Sequence, residues 1–269
     1  MIDLHTHTAY SKHGTGTIRE IVEAAINKGI KILAITDHSP FPIEPSNRLE
    51  EREFDDYFQD IEQTCRDYAK QLKVLKGMEV DFLSGYEEYI QSVLSRVDAD
   101  YIVGAIHYIF IDGERINVWD IEKIGNPDVA QVYIKELRNL VRSGLFDAVA
   151  HPDILLRGGL DERILYELFL PLLIDFSEAG LCYELNGSGF TKTSYDRTKR
   201  MIQQGVRTFP SKMVMRELKR QELPFVVGSD SHSAQFVGKN IEGLLEECRQ
   251  EGLTNLVYFE KRKPQKYLF

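Results

Sequence analysis

Apolar and polar positions along the chain alternate between two kinds of segment. Short runs rich in β-branched residues predict strands, and longer runs with apolar residues three or four positions apart predict helices. Several strand segments are apolar at almost every position, which is typical of strands covered on both faces in a parallel sheet. The predicted strands cover residues 2–5, 31–36, 73–80, 101–106, 147–150, 181–185 and 224–228.

Helical segments follow these strands in turn. Thr17 and Glu20 have the spacing of a capping box, and Gly29 is a suitable end for the helix that they begin. The predicted helices cover residues 18–29, 50–71, 85–96, 127–143, 161–179, 196–204, 211–221 and 240–251. This alternation predicts an α/β fold, a closed or nearly closed (β/α)7 barrel of the TIM type that occupies residues 1–269 as one domain. Residues 39–47 and 109–126 interrupt the alternation and are predicted to be long loops over the site.

Composition narrows the possible partners. The formal net charge of −9 opposes attraction to nucleic acid or to an anionic membrane, but bound metal cations can still make a pocket attractive to a small anion. Three widely spaced cysteines without a CxxC motif indicate reduced thiols and a cytoplasmic protein. The first residues lack the pattern of a signal peptide, and the aliphatic stretch 168–174 is too short to span a bilayer.

Histidines and carboxylates fall at the ends of the predicted strands. They are His5 and His7, His38, Glu79, His107, His151, and Asp230 with His232, while His13 lies in the loop after the first strand. In a barrel the carboxyl ends of the strands meet at one rim, so we expect these residues to converge there. Imidazole and carboxylate without thiolate suit zinc, iron or manganese. So many ligands exceed the needs of one tetrahedral ion, which predicts two or three metals.

The order of these residues resembles the PHP superfamily, named for polymerase and histidinol phosphatase. The motifs are His5-Thr-His7 with Ser11 and His13, Thr36-Asp-His38, Gly77-Met-Glu79, Ala105-Ile-His107, Ala150-His-Pro-Asp153 and Gly228-Ser-Asp230-Ser-His232. They run in order from residue 2 to about residue 240. Within the superfamily the chain is most similar to the stand-alone histidinol-phosphate phosphatases.

The resemblance implies a distorted seven-stranded barrel with a trinuclear centre at its C-terminal rim. The implied ligands are His5, His7, Glu79 and Asp230 for the first ion, Glu79, His107 and His151 for the second, and His13, His38 and His232 for the third. Asp37 and Asp153 lie beside ligands, where each could orient a histidine or pair with a nearby cation.

The activity that the resemblance implies is hydrolysis of L-histidinol phosphate to L-histidinol and phosphate. Two ions about 3.5–4 Å apart can share a water and lower its pKa towards about 7, so a metal-bridging hydroxide is the expected nucleophile. Asp230, His232 or His13 would protonate the leaving oxygen. The alternatives are another small phosphate ester or nucleotide, a 3′–5′ exonuclease, or a barrel without catalytic activity.

Candidate substrate contacts come from the loops after the later strands. Arg157 follows the fifth strand and Arg197 the sixth, and a guanidinium can bind phosphate through two oxygens. Asn186 is a further candidate for the pocket wall. Loops 39–58 and 108–120 offer groups for the amine and imidazole of the substrate, namely Glu44, Tyr57, Tyr108 and Trp119.

Overall fold

Seven parallel strands form the inner wall of a barrel in the computed structural model, which describes residues 1–269. The strands are β1 (Ile2–Asp3), β2 (Ile32–Ile35), β3 (Lys73–Asp81), β4 (Tyr101–Ala105), β5 (Ala148–Val149), β6 (Cys182–Asn186) and β7 (Phe225–Gly228). They lie side by side in chain order. The Leu4 N–H donates to the Val227 carbonyl at 2.9 Å, which joins the first strand to the last. The predicted α/β barrel is therefore confirmed.

Helices surround this wall and bury its outer face. They are α1 (Ile18–Asn27), α2 (Phe54–Tyr68), α3 (Glu87–Leu94), α4 (Pro127–Ser143), α5 (Glu162–Ala179), α6 (Lys212–Arg220) and α7 (Ile241–Glu251). The capping box of Thr17 and Glu20 is present at the start of α1. One apolar cluster of 78 buried residues extends from Ile2 to Phe259. None of the helices combines the length and the apolar character needed to cross a membrane.

The helix predicted at 196–204 is wrong. Ser194–Asp196 and Met201–Gln203 pair there as an antiparallel hairpin. The Asp196 carboxylate accepts hydrogen bonds from the backbone N–H groups of Thr198 and Lys199, and this local bonding favours a turn over a helix.

A second hairpin lies within the stretch predicted as a long loop at 109–126. Tyr108–Ile111 pairs with Glu114–Asn117 across Asp112 and Gly113. Both turn residues have positive φ, as an Asp-Gly turn of this kind requires. The hairpin brings Tyr108 and Asn117 to the cavity above the rim, as predicted for this segment. The segment is, however, a regular hairpin and not an irregular loop.

Candidate metal centre

Most of the predicted ligands lie just beyond the carboxyl end of a barrel strand. His107, His151 and Asp230 each stand two residues after their strand, and Glu79 lies inside β3. His151 and Asp230 have positive φ, at 33° and 51°, a backbone conformation that is costly for residues other than glycine and often occurs at functional sites. The rim thus turns these side chains inward over the end of the barrel.

Glu79 is at the centre of the histidines. Its Oε2 atom lies 3.3 Å from His5 Nε2, 3.4 Å from His7 Nε2 and 2.8 Å from His38 Nδ1. Its Oε1 atom lies 3.5 Å from His107 Nε2 and 3.2 Å from His151 Nε2. The two oxygens of one carboxylate therefore face two different sets of histidines, the arrangement that a bridging ligand needs.

The charges at this centre depend on one another. Burial alone would raise the pKa of Glu79, but His38, His5 and His107 outweigh it and hold that pKa well below its usual range. Burial, together with nearby His232 and His38, lowers the pKa of His7 well below its ordinary value. Burial would lower the pKa of His5, but Glu184 and Glu79 outweigh it and raise that pKa well above its ordinary value. A metal that binds at this centre would therefore meet a neutral His7 and would displace a proton from His5.

Four groups of side chains bring three ligand atoms within 4.8 Å of one another. They are His5, His7 and Asp230; His5, Glu79 and His151; His38, Glu79 and His107; and His7, His38 and His232. His13 completes the cluster from outside, because its ring centroid lies 4.6 Å from that of His232 and 5.2 Å from that of His38. All nine residues predicted as ligands are therefore brought together at one place.

The buried polar atoms at this place fit metal ions. His5 Nε2, His7 Nε2, His107 Nε2, His38 Nδ1 and Glu79 Oε2 are all buried, and none forms a hydrogen bond of acceptable geometry although the histidine nitrogens lie within 2.8–3.5 Å of Glu79. Buried polar atoms are normally hydrogen-bonded, and each unpaired one is costly. Five convergent lone-pair donors without partners are the donor set that zinc, iron or manganese would satisfy.

The opposite sides of two rings are held by carboxylates that the sequence-based prediction missed. His5 Nδ1 lies 2.7 Å from Glu184 Oε1, and His107 Nδ1 lies 2.6 Å from Asp81 Oδ1. Glu184 also accepts the backbone N–H of His151 at 2.7 Å. Such contacts orient the rings and leave Nε2 of each free for a metal. A charged residue within an otherwise apolar predicted strand was the available signal for Glu184.

Gly228 permits the close packing behind His5. A Cβ atom at this position would lie 2.3 Å from His5 Cβ and 2.4 Å from Glu184 Oε1. Any larger residue would force the histidine and its carboxylate apart. The glycine of the Gly228-Ser-Asp230 motif is thus explained by space at the site and not by an unusual backbone angle.

Asp37 and Asp153 serve different parts of the structure. Asp37 accepts from the Ser11 hydroxyl at 2.6 Å, and Ser11 Oγ lies 3.1 Å from His7 Nδ1, so Asp37 supports a histidine through Ser11. Asp153 accepts the backbone N–H of Ser211 at 2.6 Å. It is fully buried, and burial raises its pKa to about 6.

A cavity of about 350 Å³ opens above the cluster. Besides seven of the candidate ligands, its wall contains Glu44, Asn47, Arg48, Tyr108, Asn117, Trp119 and Lys192. Lys192 forms an ion pair with Asp230, and its Nζ lies 4.3 Å from the centre of the Trp119 ring. Arg48 forms a buried ion pair with Asp81. Arg48 and Lys192 are thus the basic residues on the cavity wall, and the sequence-based prediction named neither.

The two arginines predicted to contact phosphate, and Asn186, predicted to line the pocket, lie outside the cavity wall. Arg157 is buried, donates to the Thr193 carbonyl at 2.9 Å and stacks 4.8 Å from the centre of the Trp119 ring. Arg197 is exposed and donates to the Glu122 carbonyl. Asn186 is buried and bonds to Glu184 and to the Ser188 N–H. The structure therefore places Arg157 behind an aromatic wall of the cavity, and it places neither Arg197 nor Asn186 on that wall.

Three of the four candidates for the amine and imidazole end do lie on the cavity wall. They are Glu44, Tyr108 and Trp119. Tyr57 is fully buried instead, and its hydroxyl donates to the Gly77 carbonyl at 3.0 Å and accepts the Asp37 N–H at 3.1 Å. Tyr57 thus supports the backbone between β2 and β3 and has no access to a ligand.

The barrel fold and the cluster of candidate ligands agree with the family to which comparison with known proteins assigns this chain. The PHP domain family matches residues 3–188, and this chain belongs to that family. The match contains all the candidate ligands except Asp230 and His232, which the barrel brings to the same rim.

The relatives cover the whole chain. A Deinococcus radiodurans protein described as a probable histidinol-phosphatase is 30% identical over 98% of both chains. The histidinol-phosphatase of Bacillus subtilis is 25% identical over 91% of this chain and 98% of its own. The solved structure of a histidinol phosphate phosphatase from Lactococcus lactis, with zinc, L-histidinol and phosphate, has a TM-score of 0.81 at 19% identity over 98% of both chains.

Proposed function

We propose that this chain is a metal-dependent phosphatase that hydrolyses L-histidinol phosphate to L-histidinol and phosphate. The observation that carries the proposal is the set of buried, unpaired histidine nitrogens that converge on Glu79 below an open cavity. A relative 30% identical over nearly the full length is described as a probable histidinol-phosphatase, and the Lactococcus lactis protein of the same fold holds zinc with both products. The free state of all three cysteines supports a reducing compartment such as the cytoplasm.

Two or three divalent ions would be held by the nine side chains already described. His5, His7 and Asp230 form one natural set, and His107 with His151 forms another on the opposite oxygen of Glu79. The third set is His13, His38 and His232. Ions held there would lower the pKa of a bound water and offset charge on the phosphoryl oxygens.

Side chains of this protein would supply the remaining steps. Lys192, on the cavity wall beside Asp230, is placed to bind a phosphate oxygen, as a point charge on a flexible chain can. Arg157 would support that contact from behind Trp119. Asp230, His232 and His13 remain the candidates for donating a proton to the leaving oxygen, since all three line the cavity.

A kinetic screen tests the proposal. The purified protein is stripped of metal, reconstituted separately with zinc, iron and manganese, and assayed with L-histidinol phosphate, 4-nitrophenyl phosphate and nucleoside monophosphates. We expect L-histidinol phosphate to have the highest kcat/KM with at least one metal. A value for it no better than that for 4-nitrophenyl phosphate would support the alternative of a phosphatase for another small ester.

A further inference from the structure

Resting on the proposed phosphatase function, we propose that Glu44 binds the protonated amine of the substrate and selects phosphate esters with a cationic leaving group. At neutral pH L-histidinol phosphate carries an ammonium group besides its phosphate. A site that prefers it over a neutral ester needs a negative group away from the metals.

Glu44 is the carboxylate on the cavity wall that is free for this role. The wall contains three carboxylates, Glu44, Glu79 and Asp230. Glu79 and Asp230 belong to the metal cluster, where histidines and Lys192 surround them. Glu44 is therefore the one carboxylate of the cavity wall that lies outside the metal cluster.

Local contacts hold the Glu44 carboxylate in place while leaving it accessible. It accepts from the Tyr108 hydroxyl at 3.2 Å and from Arg115 Nη2 at 2.7 Å, and 29% of its side chain is exposed. Arg115 is itself 42% exposed, so water screens that ion pair and leaves the carboxylate available to a second cation. The backbone of Glu44 is left-handed, with φ of 50°, and Glu44 directly precedes the short helical turn Pro45–Asn47.

The same loop segment, residues 44–49, also contacts two histidines of the metal centre directly and a third through Asp81. The Asn47 carbonyl lies 3.1 Å from His13 Nδ1, and the Leu49 N–H donates to the His38 carbonyl at 3.1 Å. Arg48 pairs with Asp81, which holds the ring of His107. Glu44 is thus fixed relative to the ions, so an ammonium bound to it would place the rest of the ester at a set distance from them.

Glu44→Gln tests the proposal through a ratio of two substrates. Gln keeps the size and the acceptor oxygen but removes the charge. We expect kcat/KM for L-histidinol phosphate to fall about 10- to 100-fold relative to kcat/KM for 4-nitrophenyl phosphate, as loss of a charge-assisted hydrogen bond implies, mainly through KM. Glu114→Gln is the matched control on the neighbouring hairpin, because Glu114 is 70% exposed and pairs only with Lys123; its ratio should equal that of the wild type.

Intrinsic fluorescence provides a second readout that needs no turnover. Trp119 is the single tryptophan of the chain and lies on the cavity wall, so its emission reports ligands in the cavity. Titration with L-histidinol should show at least tenfold weaker binding to Glu44→Gln than to the wild type. An unchanged substrate ratio together with unchanged L-histidinol affinity would overturn the role of Glu44, whereas a wild type without preference for L-histidinol phosphate would overturn the proposed function itself.

Discussion

The buried rim of the barrel and the loops above it differ in how tightly their side chains are determined. At the rim, most candidate ligands lie at or just beyond a strand end, and carboxylates hold the far sides of two rings, Glu184 for His5 and Asp81 for His107. In the loops, cationic side chains such as Lys192 and Arg157 meet around one tryptophan from different strand connections. Metal binding is therefore mainly a property of the barrel, whereas we propose that the loops determine the choice of substrate.

Glu79→Gln should have the largest effect, because it removes the one charge that faces five histidines. We expect metal content to fall and kcat to drop by roughly three orders of magnitude. Metal analysis of protein purified without chelators, alongside steady-state kinetics, measures both. Full metal content with wild-type kcat would show that the rim does not form the centre described here.

Glu184→Gln should weaken the centre without contacting a metal. Its carboxylate holds the His5 ring and the His151 backbone, and loss of such supporting contacts costs about 10- to 100-fold in metal affinity or activity. Competition with a chelator during reconstitution measures the affinity. If affinity is retained, the packing around Gly228 alone orients His5.

Lys192→Gln should affect the substrate and not the metals. We expect kcat/KM for L-histidinol phosphate to fall about 10- to 100-fold, because a cation that binds phosphate is lost, with metal content preserved. Lys199→Gln is the control, since Lys199 is 70% exposed, pairs with Asp196 and does not line the cavity. Equal kinetics for both variants and the wild type would remove Lys192 from the site.

Arg157→Ala should have the smallest measurable effect. Its guanidinium reaches the cavity only through Trp119, so losing the stacking interaction should raise KM about two- to fivefold with metal content unchanged. Arg197→Ala, at an exposed position, should remain within about twofold of the wild type. A loss for Arg157→Ala as large as that for Lys192→Gln would mean that Arg157 contacts the phosphate directly.

The sequence-based predictions succeeded at the rim of the barrel more often than in the loops above it. His107 and His151 could be placed because each follows an apolar run that is recognisable as a strand. Asp81 and Glu184 were missed because their roles depend on which ring the barrel brings beside them, that of His107 after the adjacent strand for Asp81 and that of His5, two strands away, for Glu184. Arg197 was assigned to the site from its position after β6, but a turn closed by Asp196 replaces the predicted helix there and directs Arg197 to the Glu122 carbonyl.

By itself the sequence predicted the barrel and, with the resemblance to the PHP superfamily for His13, the residues that gather at its rim. Strand and helix periodicities are local, and parallel strands with helical crossovers can meet in few ways. Only the tertiary structure decided that Glu79 faces histidines with both oxygens, that Lys192 and Glu44 reach the cavity, and that Arg157 lies behind Trp119. Those outcomes depend on the directions of side chains from segments far apart in sequence, which no local pattern encodes.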